Sequence, residues 1–189
     1  MSDRIDAVKK LTNVYKMVEI KKKTNVFSQP GFVECYHNDG GPAVMAYKSY
    51  TENKEAKVYL YEEIWCRDGK EHRVGGPAYI RYKKDGIIDV EEYYVDGKLH
   101  REKGPAIIEY AFDDGAVYTE WYYQDGEAHR DNGPARITYY GNGDLCYQEF
   151  YTRGIANKTK NTFMTENKLN DIKYEEWPSE MISLLWLSA

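Results

Sequence analysis

Four stretches of the chain place apolar residues at every second position: Ala43-Met45-Tyr47, Ala78-Ile80-Tyr82, Ala106-Ile108-Tyr110 and Ala135-Ile137-Tyr139. A period of two is the mark of a β-strand that buries one face. Three of the stretches run into Asp85-Gly86, Asp114-Gly115 or Asn142-Gly143, pairs that tolerate the positive φ angles of hairpin turns. A return strand follows and ends in two adjoining large residues, at Tyr93-Tyr94, Tyr122-Tyr123 and Phe150-Tyr151, with Trp65-Cys66 in the first copy. The pattern predicts one hairpin per repeat, followed by a structured loop.

The loop carries the strongest internal similarity. Gly-Pro-Ala recurs around Pro42, Pro77, Pro105 and Pro134, at intervals of 35, 28 and 29 residues, and the histidines His37, His72, His100 and His129 precede it at a fixed offset. In the last three copies Arg73, Arg101 and Arg130 follow the histidine, and Asp68-Gly69, Asp96-Gly97 and Asp125-Gly126 come before it. Proline at a strand entry removes no ladder hydrogen bond. The histidines are expected to fix their loops by bonding backbone carbonyls. With two strands per repeat, equivalent histidines lie about 9 to 10 Å apart, too far to share an ion whose ligands sit at about 2 Å. Four near-copies also lack the asymmetry a catalytic constellation needs. No catalytic residue, metal ligand or cofactor is expected.

Both ends depart from the repeat. Residues 3–23 read as an amphipathic helix with Ile5, Val8, Leu11, Tyr15 and Val18 on one stripe and Ser2 as its cap; seven basic against three acidic residues give it a local charge of +4. This helix is expected to cap the first repeat, with membrane-surface docking and dimerisation as alternatives. Beyond Gly154 the motif stops. Pro178-Ser179-Glu180 opens a short C-terminal helix whose Leu184, Leu185 and Trp186 cap the last repeat or bind a partner. The expected fold is thus mainly β, with tandem antiparallel hairpins in an elongated meander sheet, capped by an N-terminal α-helix and a short C-terminal helix. The domain boundaries are 1–30 for helix and linker, 31–154 for the array and 155–189 for the C-terminal cap.

Composition narrows the classes. A net charge of −5 disfavours nucleic acid, while 19 tyrosines suit half-buried sheet faces and binding surfaces. Cys35, Cys66 and Cys146 are odd in number and show no CxxC spacing, which suggests neither a disulfide framework nor a zinc site and points to a reducing, cytoplasmic setting. The longest apolar run, Met181 to Leu187, is too short to span a bilayer, and no signal-peptide pattern opens the chain.

Two surfaces stand out as partner contacts. Glu63, Glu91 and Glu120 each lie two positions before Trp65, Tyr93 and Tyr122, with Gln148 before Phe150, so acid and aromatic share a face. Stacked repeats turn them into parallel stripes suited to a basic or sugar-like partner. The alternative is that the aromatics are core and the glutamates pair across strands with arginines such as Arg81. The second surface is the tip of an elongated first hairpin at Thr51, Glu52 and Asn53; drift in an end repeat is its competing explanation.

The strings WxxDGKxHRxxGPAxI and YYxDGKxHRxxGPAxI resemble the MORN-like repeats of many bacteriophage, large DNA virus and some bacterial proteins, over about 120 of 189 residues. The resemblance implies an interaction scaffold and no catalytic residue. The standard MORN repeat is shorter and richer in glycine, so lipid binding sometimes ascribed to that family carries over poorly. The expected function is a non-enzymatic protein-binding module, a viral or phage factor that binds and inhibits a host defence protein in the host cytoplasm. A small-ligand protein that sequesters a nucleotide or sugar, and an enzyme of unknown type, are the alternatives; homo-oligomers through the terminal helices remain open.

Overall fold

The computed structural model describes residues 40–111 and 114–187. The expected N-terminal helix, Cys35 and His37 lie outside the described residues. Four copies of one unit follow each other. The first is the hairpin β1 (Val44–Glu52) and β2 (Glu55–Ile64) with a small ribbon, β3 (Cys66–Arg67) and β4 (Lys70–Glu71). The second is β5 (Tyr79–Tyr82) and β6 (Ile88–Glu92) with the ribbon β7 (Tyr94–Val95) and β8 (Lys98–Leu99). The third is β9 (Ile107–Tyr110) and β10 (Val117–Trp121) with β11 (Tyr123–Gln124) and β12 (Glu127–Ala128). The fourth is β13 (Arg136–Tyr139) and β14 (Leu145–Glu149) with β15 (Tyr151–Thr152) and β16 (Ile155–Ala156). The eight long strands form one antiparallel meander in chain order, as the alternating pattern predicts.

The predicted loop is therefore in part a second hairpin, and its turn differs from that of the first. At the ribbon tips both central residues have positive φ: Asp68 52° and Gly69 78°, Asp96 50° and Gly97 80°, Asp125 52° and Gly126 89°. These are type I′ turns, whose twist matches the flanking strands. At the tips of the second and fourth long hairpins only the glycine, Gly86 or Gly143, is left-handed. The residue before it bonds the chain onward: Asp85 accepts from Ile87 N–H, and Asn142 from Asp144 N–H. Asp114 does the same for Ala116 N–H.

The ribbons stack on one another. Gly97, Gly126 and Gly154 donate their N–H groups to Glu71, Leu99 and Ala128 of the preceding ribbon at 2.9 to 3.0 Å. The fourth ribbon turns on Arg153 and Gly154 (φ 47° and 79°), so the repeat extends past the last readable motif. Asn157 then takes the place of the histidine. Its N–H bonds Phe150 O just as His72, His100 and His129 bond Trp65, Tyr93 and Tyr122.

At that point the chain leaves the repeat. Asn157 caps the helix α1 (Lys158–Glu166), its side chain accepting from Lys160 N–H at 3.0 Å. A 3-10 turn at Tyr174–Glu176 and the helix α2 (Ser179–Leu187) follow. This cap holds the main apolar cluster, Phe150, Met164, Leu169, Tyr174, Trp177 and Leu185. Asn161 closes the array. Its carboxamide accepts from Phe150 N–H at 2.8 Å and donates to Phe150 O. In earlier copies the corresponding N–H of Trp65, Tyr93 or Tyr122 bonds the alanine carbonyl of the next repeat. One side chain thus stands in for a peptide group.

One expectation about cysteine fails. Cys66 is disulfide-bonded, whereas Cys146 is free. Pairing depends on which thiols the fold brings together, which spacing and an odd count do not reveal.

Candidate binding face

Residues directly opposite each other in a sheet share a face. The register links Met45, Glu63, Ile80, Glu91, Ile108, Glu120, Ile137 and Gln148 in one line across all eight strands. Acid and isoleucine alternate along it. The period-two rule places Trp65, Tyr93, Tyr122 and Phe150 on the same face, as the sequence suggests. We call this the acidic face.

Each acid and each aromatic already has a partner within the array. Tyr110 donates its hydroxyl to Glu91 at 3.2 Å and Tyr139 to Glu120 at 3.0 Å, and Tyr82 bonds Glu63 in the same way. Burial, then the neighbouring carboxylate, pushes Tyr110 up to about 12 and raises Tyr82 and Tyr139. The three glutamates and Trp65, Tyr93 and Tyr122 are half-buried, while Phe150 is buried. Arg81 is not their partner. It lies on the opposite face, bonds Asp89 at 2.6 Å, and stands across from Glu62.

The loop arginines pack against the aromatics. Arg73, Arg101 and Arg130 lie over the rings of Trp65, Tyr93 and Tyr122 at 3.7, 3.7 and 4.0 Å. Each also donates to a proline carbonyl, of Pro77, Pro105 and Pro134. A Cβ at Gly76, Gly104 or Gly133 would meet the guanidinium at 3.1 to 3.4 Å, so glycine lets the arginine approach closely there. The following alanines, Ala78, Ala106 and Ala135, are fully buried, and the three prolines are buried with them; Pro42 is half-buried. This is the physical content of His-Arg-x-x-Gly-Pro-Ala.

The histidines bond differently from expectation. Nδ1 of His72 accepts from Asp96 N–H at 3.1 Å, and Nδ1 of His100 from Asp125 N–H at 3.2 Å. Each ring therefore takes an amide of the next ribbon rather than a carbonyl of its own loop. The ring nitrogen supplies an acceptor to the N–H at the tip of the next type I′ turn. His129 instead pairs through Nε2 with Asp131 at 3.0 Å. Among the described residues no cluster of three or more His, Cys, Asp or Glu could hold a metal ion.

The last groove of the acidic face is filled by the chain itself. Where the first three copies carry glutamate, the fourth has Gln148, 1% exposed, whose Nε2 donates to the carbonyls of Leu169 and Ile172 at 3.0 and 2.7 Å. A carboxylate cannot make those bonds. Phe150 meets Tyr174 edge-on at 5.8 Å, and Arg130 reaches Glu175 at 3.4 Å. Lys160 is 7% exposed, sits 3.1 Å above the Trp186 ring, and is held below the usual lysine range by burial. Trp186 also donates to the Tyr174 hydroxyl. Its indole is tied to the cap but remains partly exposed, as do Leu184 and Leu187.

The first hairpin is elongated, with strands of 9 and 10 residues against four and five in the later copies. Its tip turns on Asn53 and Lys54, both left-handed. Glu52 pairs with Lys57 and Lys84, and Lys84 lies 3.8 Å above the Tyr50 ring. Thr51 and Asn53 are exposed.

The chain matches no protein-family model, no curated protein and no solved structure. No helix among the described residues is long and apolar enough to cross a membrane.

Proposed function

We propose that the chain is a non-enzymatic protein-binding scaffold whose contact surfaces are the acidic face and the tip of the first hairpin. The observation that carries this reading is the seating of the chain's own segment 169–177 on the last groove of that face. A surface that binds polypeptide in cis at one copy, and is repeated at regular spacing, is suited to bind polypeptide in trans at the others. The bonds from the His72 and His100 rings to amides of the next ribbon support a structural role for these histidines. The resemblance to repeats of phage and large DNA viruses is what points to a host defence protein as the partner. An open depression of about 580 Å³ beside Tyr140 is lined by Asp144, Asp171 and Glu176 against one lysine, Lys173, a charge balance that disfavours an anionic nucleotide.

The test is affinity purification of the tagged chain from its native cell, beside a Glu63→Lys, Glu91→Lys variant and an Asn53→Asp, Thr51→Lys tip variant. One protein recovered at stoichiometric yield by the parent, and lost by either variant with unchanged circular dichroism, is the expected result. A clean chain with no partner would sink the reading.

A further inference from the structure

The cis contact in the last groove has a readable chemistry. Lys173 lies 5.8 Å from the centre of the Tyr139 ring, Tyr174 packs edge-on against Phe150, and Glu175 meets the Nη2 of Arg130. These three residues are consecutive. Lys173 has an extended backbone (φ −56°, ψ 137°) and the 3-10 turn begins immediately after it, so a basic, an aromatic and an acidic side chain contact three different residues of the face. Glu175 is also close enough to raise both Tyr122 and Tyr139, after burial and nearer charges.

Repeat equivalence sets out the same contacts twice more. Arg101, Tyr110 and Tyr122 occupy the places of Arg130, Tyr139 and Phe150 one copy earlier, and Arg73, Tyr82 and Tyr93 do so two copies earlier. In each case Nη1 is committed to a proline carbonyl, and Nη2 is the nitrogen that Arg130 gives to Glu175. Among the described residues, neither Arg73 nor Arg101 has a carboxylate partner. One position differs in a way that defines the occupant. Gln148 donates to main-chain carbonyls, whereas Glu120 and Glu91 only accept, so a segment in the earlier grooves must turn an N–H or ammonium group toward them.

We infer that the grooves at Arg101 and Arg73 bind a partner-protein segment in which a basic, an aromatic and an acidic residue follow one another. The acid pairs with the arginine and the base lies over Tyr110 or Tyr82, within reach of the neighbouring glutamate. The two grooves are one repeat apart, about 9 to 10 Å, a distance that about three extended residues span. This assignment rests on the protein-binding reading and names the chemistry of the segment bound.

The probe is a synthetic peptide of the chain's own residues 173–177 with a free α-amino group in place of the Ile172 carbonyl and a C-terminal fluorescein, titrated against the full chain by anisotropy. Saturable binding with a Kd below about 1 mM is expected, weakened tenfold or more when the peptide's counterpart of Glu175 is changed to lysine. An Arg101→Glu variant should gain a site for the lysine peptide and keep one site, at Arg73, for the parent peptide. No saturation, or equal binding of both peptides, overturns the assignment. So does binding that ignores Arg101→Glu but falls with Arg130→Glu, since the probe would then be displacing the chain's own segment. If Arg101→Glu fails to fold, the pair of peptides decides alone. Should the probe fail while a partner is still captured from the native cell, the groove assignment falls and the scaffold reading stands.

Discussion

The guanidinium of Arg130 lies 4.0 Å above the ring of Tyr122, and a Cβ added at Gly133 would meet it at 3.1 Å. Ring and glycine both bear on the same arginine. A cation over a partly desolvated ring is worth about 0.5 to 2 kcal/mol, and a hydrogen bond from a charged group adds about 1.5 to 3.

Arg130→Ala should therefore lower unfolding free energy by about 2 kcal/mol. Gly133→Ala, at φ 146° and against the guanidinium, should cost a similar amount. The double variant should cost less than the sum, because removing the arginine relieves the clash. Urea melts of the four proteins measure the coupling, and strict additivity would contradict the contact between Arg130 and Gly133.

Gln148→Glu should detach the C-terminal segment. It puts a carboxylate at a 1% exposed position facing the carbonyls of Leu169 and Ile172, a loss of about 3 to 5 kcal/mol. Protonation would restore one donor, so the deficit relative to the parent should narrow as pH falls. Limited proteolysis between residues 167 and 178, at pH 7 and pH 5, reports it.

Asn161→Ala removes the acceptor for Phe150 N–H and the donor to Phe150 O, and should cost about 1 to 3 kcal/mol. Asn161→Asp keeps the acceptor and should lie between alanine and the parent. Thermal melts rank the three; equal melting of the alanine and parent proteins would show that the side chain closes nothing.

Tyr79, Tyr110 and Tyr147 are each pushed up to about 12, mainly by burial, with Glu62, Glu91 and Glu149 adding to it. The folded chain thus holds these protons more tightly than the unfolded chain, whose tyrosines titrate near 10. Their contribution is fully present below pH 10 and is lost as pH rises through 12. Stability should fall steeply across that window, and tyrosinate absorbance should rise together with unfolding rather than before it.

The long hairpins were legible because Ala78-Ile80-Tyr82 and its counterparts alternate and Asp85-Gly86 marks a turn. The ribbons were not, since two-residue strands such as Tyr94–Val95 and Lys98–Leu99 are too short to show a period. The stacked arginines were visible only as spacing: each follows its aromatic by eight residues, Trp65 to Arg73 and Tyr93 to Arg101, but sequence distance does not show that a turn folds one over the other. Helix α1 escaped notice because Phe163 and Met164 adjoin instead of recurring at helical intervals. Asn157 was the available signal, standing as far from Phe150 as His129 stands from Tyr122. The change from Glu120 to Gln148 was equally plain in the text, but its meaning depends on the two carbonyls it meets.

The carboxamide of Asn161 has a consequence for how such a chain evolves. Each copy offers its successor the same edge, and in the last copy the Asn161 carboxamide meets that edge. Duplicating the stretch from Asp96 to Gln124 would lengthen the array by one unit, about 9 to 10 Å, with the endpiece carried along unchanged. The reach of the protein is then a matter of copy number, adjustable by unequal recombination without any redesign of the C-terminal cap.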